Sequence, residues 1–253
     1  MRIVYFGNGP VALEVLRYLR GLGEEIVALV LHDDGTRSQG NEMIAETSLP
    51  LDFVFEARSL PKLGTIKSIN DLGADIGVSV LFGHILKAEV LRLFPRGVLN
   101  VHPGLLPFNR GRNAQVWSIV EHTPAGATLH FMDEGVDTGP IVERLEVPIE
   151  PTDTGRSMRA KLEIASLEVL KAGWPAVLAN DRPQPQDPLA GTTHLVRDIE
   201  SISEVDINAT YRAGDLIDLL RALTSPPQTA GAYYRVGGRK VRLTLELRNE
   251  SND

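Results

Sequence analysis

Residues 2–12 of the chain are RIVYFGNGPVA, an apolar strand pattern that runs into a glycine turn and then into a helix pattern. The helix pattern continues to residue 22 and places four leucines on one stripe: Leu13, Leu16, Leu19 and Leu22. Further short runs rich in Val, Ile and Leu predict strands at residues 25–31, 51–55, 76–81 and 97–101. Because strands that alternate with crossover helices form a parallel sheet, this order predicts an α/β fold with a mostly parallel sheet.

The second half of the chain contains a long helix pattern and then a change of composition. The helix pattern covers residues 154–178, and NDRPQPQDP follows at residues 180–188. Proline at this density cannot continue a helix or a central strand. We therefore predict three parts, a large domain, a Pro-rich linker and a small α+β appendage: residues 1–180, 181–202 and 203–253.

The small C-terminal appendage has its own pattern of elements. Residues 211–223 have the apolar spacing of a helix. Residues 231–247 have the pattern of two strands, with Gly237-Gly238 at the turn between them. We therefore expect one helix and one β-hairpin in this part of the chain.

Composition bounds the class of protein. The 253 residues are 43% hydrophobic and 23% charged, values typical of a soluble globular protein. A net charge of −7 argues against a large phosphate-binding surface, and no apolar run approaches the roughly 18 residues needed to cross a bilayer. The absence of cysteine excludes disulfides and thiolate chemistry and suits a reducing cytoplasm. We expect a cytoplasmic protein with no nucleic-acid partner and no membrane partner.

The glycine turn after the first strand leaves two interpretations open. Gly7-Asn8-Gly9 belongs to a G-x-G-x-x-A pattern between a strand and a helix, where backbone N–H groups can bind phosphate. Asp33 or Asp34 after the second strand is placed to bind a ribose, so a nicotinamide-dependent oxidoreductase is one hypothesis. The alternative is that the glycines only make the first turn tight.

A stronger signal lies at the end of the fifth predicted strand, where residues 99–107 are LNVHPGLLP. Strand alternation puts Asn100 and His102 on the same side. At the carboxyl edge of a parallel sheet, a carboxamide and an imidazole supply an oxyanion stabiliser and a proton-transfer group. A second segment, FMDEGVDTGP at residues 131–140, offers a glycine loop in which Asp137 can orient His102 or a water.

The remaining histidines lack the spacing of metal ligands, so we predict no metal site and no role for His32, His122, His130 or His194.

The pattern N-x-H-P-x-x-L-P at residues 100–107, followed by D-E-G-x-D-x-G at 133–139, resembles the 10-formyltetrahydrofolate-dependent formyltransferase family. The resemblance covers about residues 1–180 and implies a Rossmann-like formyltransferase domain there. It implies that Asn100, His102 and Asp137 are catalytic, with 10-formyltetrahydrofolate as co-substrate and no metal. Gly104 stands where several members have serine, which is a small departure.

The same resemblance implies that the pterin of the folate lies between residues 82–86 and the loop at 132–137. Apolar side chains and open backbone groups in these two segments suit such a slot. The expected cofactor-binding residues are Phe82, Gly83, Ile85, Leu86, Leu91, Asp133, Glu134, Gly135 and Val136. For the apolar members of this set, ordinary core packing is the alternative interpretation, and the role of His84 stays open.

Within this family the chain is most similar to the enzymes that formylate nucleotide-linked sugars. The similar segments are LPFNRGRNAQVWSI at residues 106–119, LIDLLRALTSPP at 216–227 and GAYY at 231–234, although Gln228 stands where relatives have an aromatic residue. The resemblance implies a homodimer that acts on a dTDP-linked amino-dideoxy sugar of the kind used in lipopolysaccharide O-antigen. The expected substrate-binding residues are Gly9, Asn109, Arg110, Arg112, Trp117, Tyr233 and Tyr234.

Two other acceptors known in the family are alternatives. An enzyme acting on methionyl-tRNA is expected to be longer and to have a basic face for the phosphate backbone. An enzyme acting on glycinamide ribonucleotide is expected to lack the appendage after the Pro-rich linker. For the substrate-binding set, solvated arginines and tyrosines that pack the hairpin remain the alternative interpretation.

Overall fold

We describe the protein from a computed structural model, in which residues 1–187, 189–224 and 231–250 are described. The strands are β1 Arg2–Gly7, β2 Glu25–Leu31, β3 Val54–Glu56, β4 Ile76–Val80, β5 Val98–His102, β6 Arg110–Gly111, β7 Ala125–Phe131, β8 Ile141–Val147, β9 Thr193–His194, β10 Tyr233–Val236 and β11 Arg239–Arg242. The α-helices are α1 Pro10–Gly21, α2 Gly40–Thr47, α3 Leu63–Asp71, α4 Ala88–Leu91, α5 Ala114–Val120, α6 Gly155–Ala179, α7 Asp198–Ser203 and α8 Ala213–Leu223.

Seven strands form one sheet in the order β3-β2-β1-β4-β5-β7-β8. The pairs from β3 to β5 are parallel, and β7 runs antiparallel to β5. Strands β1 and β4 lie near the centre of the sheet, and Ile3, Val4, Ile76 and Val78 on them are fully buried. This Rossmann-like arrangement confirms the predicted α/β fold with a mostly parallel sheet.

Two local expectations were wrong. Of the strand expected at residues 51–55, the first part is a short 3₁₀-helix at Leu51–Phe53, and β3 follows it. Pro50 precedes this turn and Leu51 is 72% exposed, so the segment lacks the two-sided burial of a central strand. In α1 the buried stripe ends at Leu19, because the helix ends at Gly21 and leaves Leu22 exposed.

The chain divides into two compact units. The first unit comprises Met1–His102, Thr128–Arg144 and Ser166–Gln186. Its core contains edge-to-face aromatic contacts, with ring centroids of Phe6 and Phe82 5.6 Å apart. In the second half of α6, a Cβ atom on Gly173 would lie 2.6 Å from the Leu129 side chain, so the helix packs closely on β7.

The second unit comprises Pro103–Ala127, Leu145–Ala165 and the described residues of Asp187–Asp253. The expected C-terminal helix is α8, which begins two residues later than residue 211. The expected hairpin is β10 and β11, which pair antiparallel. Gly237 and Gly238 between them have φ of 53° and 77°, as a tight type I′ turn requires.

Gln228 lies outside the described residues. The division of the chain at residues 180 and 202 stays a prediction.

No helix in the described part of the chain combines the length and apolar character that a membrane crossing requires.

Candidate active site

Asn100 and His102 lie on β5, two residues apart and on the same side of the strand. The residues between and before them, Val101 and Leu99, are buried on the other side. His102 is only 3% exposed, whereas Asn100 is half-buried. Because β5 ends at His102, both side chains lie at the carboxyl end of a parallel strand, where α/β folds place their sites.

The carboxylate of Asp137 lies between two imidazoles. Its Oδ2 is 3.4 Å from Nδ1 of His102, and its Oδ1 is 3.5 Å from Nε2 of His130. These distances exceed those of ordinary hydrogen bonds, and contacts between catalytic groups often shorten only when substrate binds. A carboxylate in this position stabilises a proton on Nδ1 of His102 and holds that ring in orientation.

His130 was not expected in the site, and that prediction was wrong. In the antiparallel pairing of β5 and β7, His130 is the direct partner of Asn100. Its Nδ1 is 2.9 Å from the carbonyl oxygen of Phe131, to which it must donate. Its Nε2 therefore accepts from the Asn100 side-chain amide, 3.1 Å away. His130 is almost fully buried and fixes which way the Asn100 amide points.

The loop after β7, which carries Asp137, is fixed by hydrogen bonds and close packing within the loop. Oδ1 of Asp133 accepts from the Thr138 hydroxyl at 2.6 Å and from the Gly135 N–H at 3.0 Å. A Cβ atom on Gly135 would lie 2.1 Å from Oγ1 of Thr138, and one on Gly139 would lie 2.0 Å from the Phe131 carbonyl oxygen. The glycines of the motif are thus required by the packing of the loop itself.

The residues expected to bind the pterin divide into two groups. Phe82 and Leu86 are buried in the core cluster that also contains Phe6, so they support the segment from behind. Leu91 is half-buried and packs against the same cluster. The exposed members are Gly83, Ile85, Asp133, Glu134, Gly135 and Val136. Of the residues expected to bind the pterin, Ile85 and Val136 are therefore the ones that expose an apolar side chain.

The backbone at the start of this segment is unusual. Leu81 and Gly83 have φ of 49° and 73°, and the left-handed conformation is rare for leucine. The carbonyl oxygen of Phe82 accepts from Nε2 of His32, and the His84 ring lies edge-on to His32 with centroids 4.6 Å apart. These contacts fix the turn that exposes residues 83–85.

The Gly7–Gly9 turn is occupied by contacts within the protein. A Cβ atom on Gly7 would lie 2.6 Å from the Tyr5 ring, which explains the glycine by packing. The Gly9 N–H donates to the Ser38 carbonyl oxygen at 3.0 Å, and Oδ1 of Asn8 accepts from the Ser38 N–H at 2.8 Å. This arrangement favours the tight-turn interpretation of the motif over a phosphate site.

Among the residues expected to bind the acceptor, those before and in α5 are mostly buried. Asn109 donates to Oγ1 of Thr123 at 2.8 Å, and the guanidinium of Arg110 is 3.4 Å from the Asp187 carbonyl oxygen. Trp117 is buried and stacks on His194, with centroids 3.9 Å apart and ring planes at 6°. Arg112 is exposed.

The two tyrosines of β10 are half-buried, and the ring of one of them makes cation–π contacts. Nζ of Lys240 lies 4.0 Å from the Tyr233 ring centroid, and the Tyr233 hydroxyl donates to Glu204 at 2.8 Å. The Tyr233 hydroxyl holds the pKa of the Glu204 carboxyl below its ordinary value, and Arg235 adds to this effect. Tyr233 is thus engaged in the appendage, and Tyr234 is its neighbour on the other face of the strand.

In the described part of the chain, no group of three or more His, Asp or Glu side chains is placed to hold a metal ion.

Two family models match the chain. One is described as formyl transferase and matches residues 1–172. The other is described as N-formyltransferase dimerization C-terminal domain and matches residues 198–249. The two matches cover the large sheet with its candidate site and the small C-terminal part, in the order expected from the sequence motifs.

Individual proteins agree with the family match. A methionyl-tRNA formyltransferase of Symbiobacterium thermophilum is 31% identical over 251 residues, which are 97% of this chain and 75% of that protein. Among solved structures, a sugar N-formyltransferase from Shewanella sp. FDAARGOS_354 has a TM-score of 0.82 at 22% identity and covers 99% of both chains. An N-formyltransferase from Helicobacter canadensis, in complex with folinic acid and dTDP-3-aminofucose, has a TM-score of 0.67 at 18% identity over 95% of this chain and 85% of that one.

These structures share the fold, and the sequence matches extend over most of the chain. The nicotinamide hypothesis has no support from them. The resemblance found in the sequence motifs is confirmed: the chain belongs to the formyl transferase family and is an enzyme of formyl transfer.

Proposed function

We propose that the protein transfers the formyl group of 10-formyltetrahydrofolate to the amine of a nucleotide-linked amino sugar, with Asn100, His102 and Asp137 as catalytic residues. The observation that carries this proposal is the cluster at the end of β5. There the Asp137 carboxylate lies 3.4 Å from His102, and the Asn100 amide is oriented by His130. The cluster joins a hydrogen-bond donor with a proton acceptor at one edge of the sheet.

The residues present suit the folate. Ile85 and Val136 are exposed apolar side chains, and the exposed glycines Gly83 and Gly135 lie in the same two segments. The Arg92–Glu134 ion pair, at 3.2 Å, joins the chain just after α4 to the loop that carries Asp137. The folate supplies the formyl carbon: the bond from the acceptor nitrogen to that carbon forms, the bond to N10 breaks, and a proton passes from acceptor to N10.

Asn100 stabilises the negative charge that develops on the formyl oxygen, and His102 adds to this once it has taken up a proton. Among the described residues only one of the two amide N–H groups of Asn100 has a protein partner, His130, so the second is available to that oxygen. An oriented donor of this kind contributes about 2.7–4 kcal/mol in other enzymes. His102 takes the proton of the acceptor amine, directly or through a water, and Asp137 stabilises the imidazolium that results.

For the acceptor we propose a dTDP-linked amino-dideoxy sugar. The C-terminal family match supports this assignment, as does the dTDP-3-aminofucose in the complex of the Helicobacter canadensis enzyme. A net charge of −7 suits a small acceptor better than a nucleic acid. Within the proposed set, the exposed Arg112 would bind the diphosphate, and the half-buried Tyr234 would stack on the base. The dimerization domain description also supports a homodimer.

A second acceptor is favoured by a specific observation. The methionyl-tRNA formyltransferase of Symbiobacterium thermophilum matches 97% of this chain at 31% identity. Methionyl-tRNA is therefore the alternative acceptor to be tested beside the sugars.

One acceptor panel decides between these proposals. The purified protein is incubated with 10-formyltetrahydrofolate and, separately, with dTDP-linked 3-amino sugars, dTDP-linked 4-amino sugars, UDP-linked amino sugars and methionyl-tRNA. Mass spectrometry detects the gain of one formyl group, and the Asn100→Ala variant, with its much lower expected rate, serves as the control. We expect formylation of a dTDP-linked sugar. Formylation of methionyl-tRNA alone would overturn the sugar assignment and leave the catalytic cluster intact.

A further inference from the structure

Gln186, in the Pro-rich linker, contacts the catalytic loop with its side chain. Its Nε2 donates to the carbonyl oxygen of Asp137 at 2.9 Å and to that of Gly139 at 2.7 Å. One amide nitrogen therefore uses both of its hydrogens on two carbonyls of the same loop. The backbone beside it is fixed as well, because Gln184 and Ile141 exchange two hydrogen bonds of 2.7 Å. This pairing holds the linker along the end of the loop.

Asp137 needs such support because its backbone has an uncommon conformation. Its φ is 53°, in the left-handed region that favours glycine and that aspartate adopts at some cost. The carboxylate must nevertheless stay within 3.4 Å of His102 and 3.5 Å of His130 at the same time. A small rotation of the peptide at Asp137 moves both of these contacts, and the Asp137 carbonyl is the group that Gln186 binds.

We propose that Gln186 is a positioning residue for formyl transfer, which acts by holding Asp137 between His102 and His130. The inference rests on the proposed function for the role of Asp137, whereas the geometry of the clamp stands independently of the acceptor. Neither family motif at the site includes this residue, which lies 49 positions after Asp137 in the chain.

The first test is kinetic. Gln186→Ala should lower kcat by about tenfold to a hundredfold, since a small misplacement of a catalytic group has effects of this size. The KM values for folate and acceptor should stay within about twofold, because Gln186 acts on Asp137 and not on the substrates. Gln184→Ala is the matched control: it lies two residues earlier, its side chain is exposed, and its bonds to Ile141 come from the backbone.

A double variant separates positioning from a general structural role. If Gln186 acts only through Asp137, adding Gln186→Ala to Asp137→Ala should cause no further loss of kcat. Gln186→Glu offers a second readout, since its carboxylate faces two carbonyls and has a proton to donate only in its acid form. The ratio of its activity to that of wild type should therefore rise as pH falls. Additive losses, or a flat ratio, would overturn the proposal.

NMR chemical shifts test the clamp without any acceptor. The imidazole ring resonances of His102 and His130 should move in Gln186→Ala, in the same direction as in Asp137→Ala and by a smaller amount. If no acceptor in the panel is formylated, the proposed function fails while these chemical shifts still measure the clamp. Unchanged ring resonances of both histidines in a folded Gln186→Ala protein would overturn the inference, and Gln186→Glu provides the same measurement if the alanine variant unfolds.

Discussion

The side-chain amide of Asn100 joins two parts of the site. One N–H donates to His130, and the proposed mechanism assigns the other to the formyl oxygen. Asn100→Ala removes the second donor, so we expect kcat to fall by about a hundredfold to a thousandfold. Single-turnover kinetics measure this loss. Thermal unfolding is the control, because a large drop in stability would show that Asn100 serves the core more than the reaction.

Ile85 and Leu86 are neighbours in sequence but have different surroundings, which makes them a matched pair of test positions. Ile85 is 82% exposed, whereas Leu86 is 3% exposed inside the core. Ile85→Asp places a charge on the apolar wall proposed for the pterin, so it should weaken folate binding in calorimetry and leave the unfolding temperature near that of wild type. Leu86→Ala should instead lower the free energy of unfolding by about 2–5 kcal/mol. An unchanged folate Kd for Ile85→Asp would show that the slot lies elsewhere.

The positions of some of these residues in the site could be predicted from the sequence, and the positions of others could not. Asn100 and His102 share a face because alternation along a strand is a local property. The contact between Asn100 and His130 depends on the antiparallel register of β5 and β7, which the whole sheet sets. A histidine in an apolar strand has the same local pattern whether or not it touches a catalytic group. For this reason the sequence could not place His130 in the site.

Among the elements, the loop between β7 and β8 combines tight packing with the catalytic carboxylate. Any side chain at Gly135 meets Thr138, since a Cβ atom there would lie 2.1 Å from Oγ1. Gly135→Val should therefore displace the loop, lower kcat by about a hundredfold through the misplaced Asp137, and weaken folate binding. Gly64→Val is the control, because nothing lies within 4 Å of a Cβ atom at Gly64. Normal kcat in Gly135→Val would mean that the loop tolerates the change and that Asp137 is held elsewhere.

The elements also show where sequence patterns are sufficient. The apolar runs of β1, β2, β4 and β5 are buried on both faces, so composition alone identifies them. The hairpin was predictable because Gly237 and Gly238 supply the two positive φ angles of its turn. β3 was misplaced because it is only three residues long and half-buried, so its local pattern is weak.

On the scale of the whole molecule, the C-terminal appendage shares a core with earlier parts of the chain. Ala222, Leu223 and Ala232 are buried in one cluster with Val116 and Met158. A chain cut at residue 202 would lose these buried groups and expose their partners. Truncation would remove part of a core together with any acceptor site. A role of the appendage in acceptor binding is therefore better tested by point variants than by truncation.

The stability of the whole protein should depend on Asp153, which lies just before α6 and is almost fully buried. Burial alone raises the pKa of its carboxyl, but hydrogen bonds from Lys161, the Glu150 N–H and Ser157 outweigh this effect, so the pKa lies below its ordinary value. A carboxyl whose pKa is lower in the folded state contributes stability above its unfolded pKa, about 3.9, and the contribution is lost as pH falls through the folded pKa.

Asp153→Asn should therefore lower the free energy of unfolding by about 1.5–3 kcal/mol at neutral pH, since it removes charged hydrogen bonds such as the 2.6 Å contact with Lys161. The difference from wild type should stay constant down to about pH 5 and shrink below about pH 4. Urea unfolding at a series of pH values measures it. Glu246→Gln is the control, because that exposed carboxylate pairs only with Arg248 in the described part of the chain and should show little effect at any pH. A difference that stayed constant below pH 4 would show that the carboxylate charge is not the source of the stabilisation.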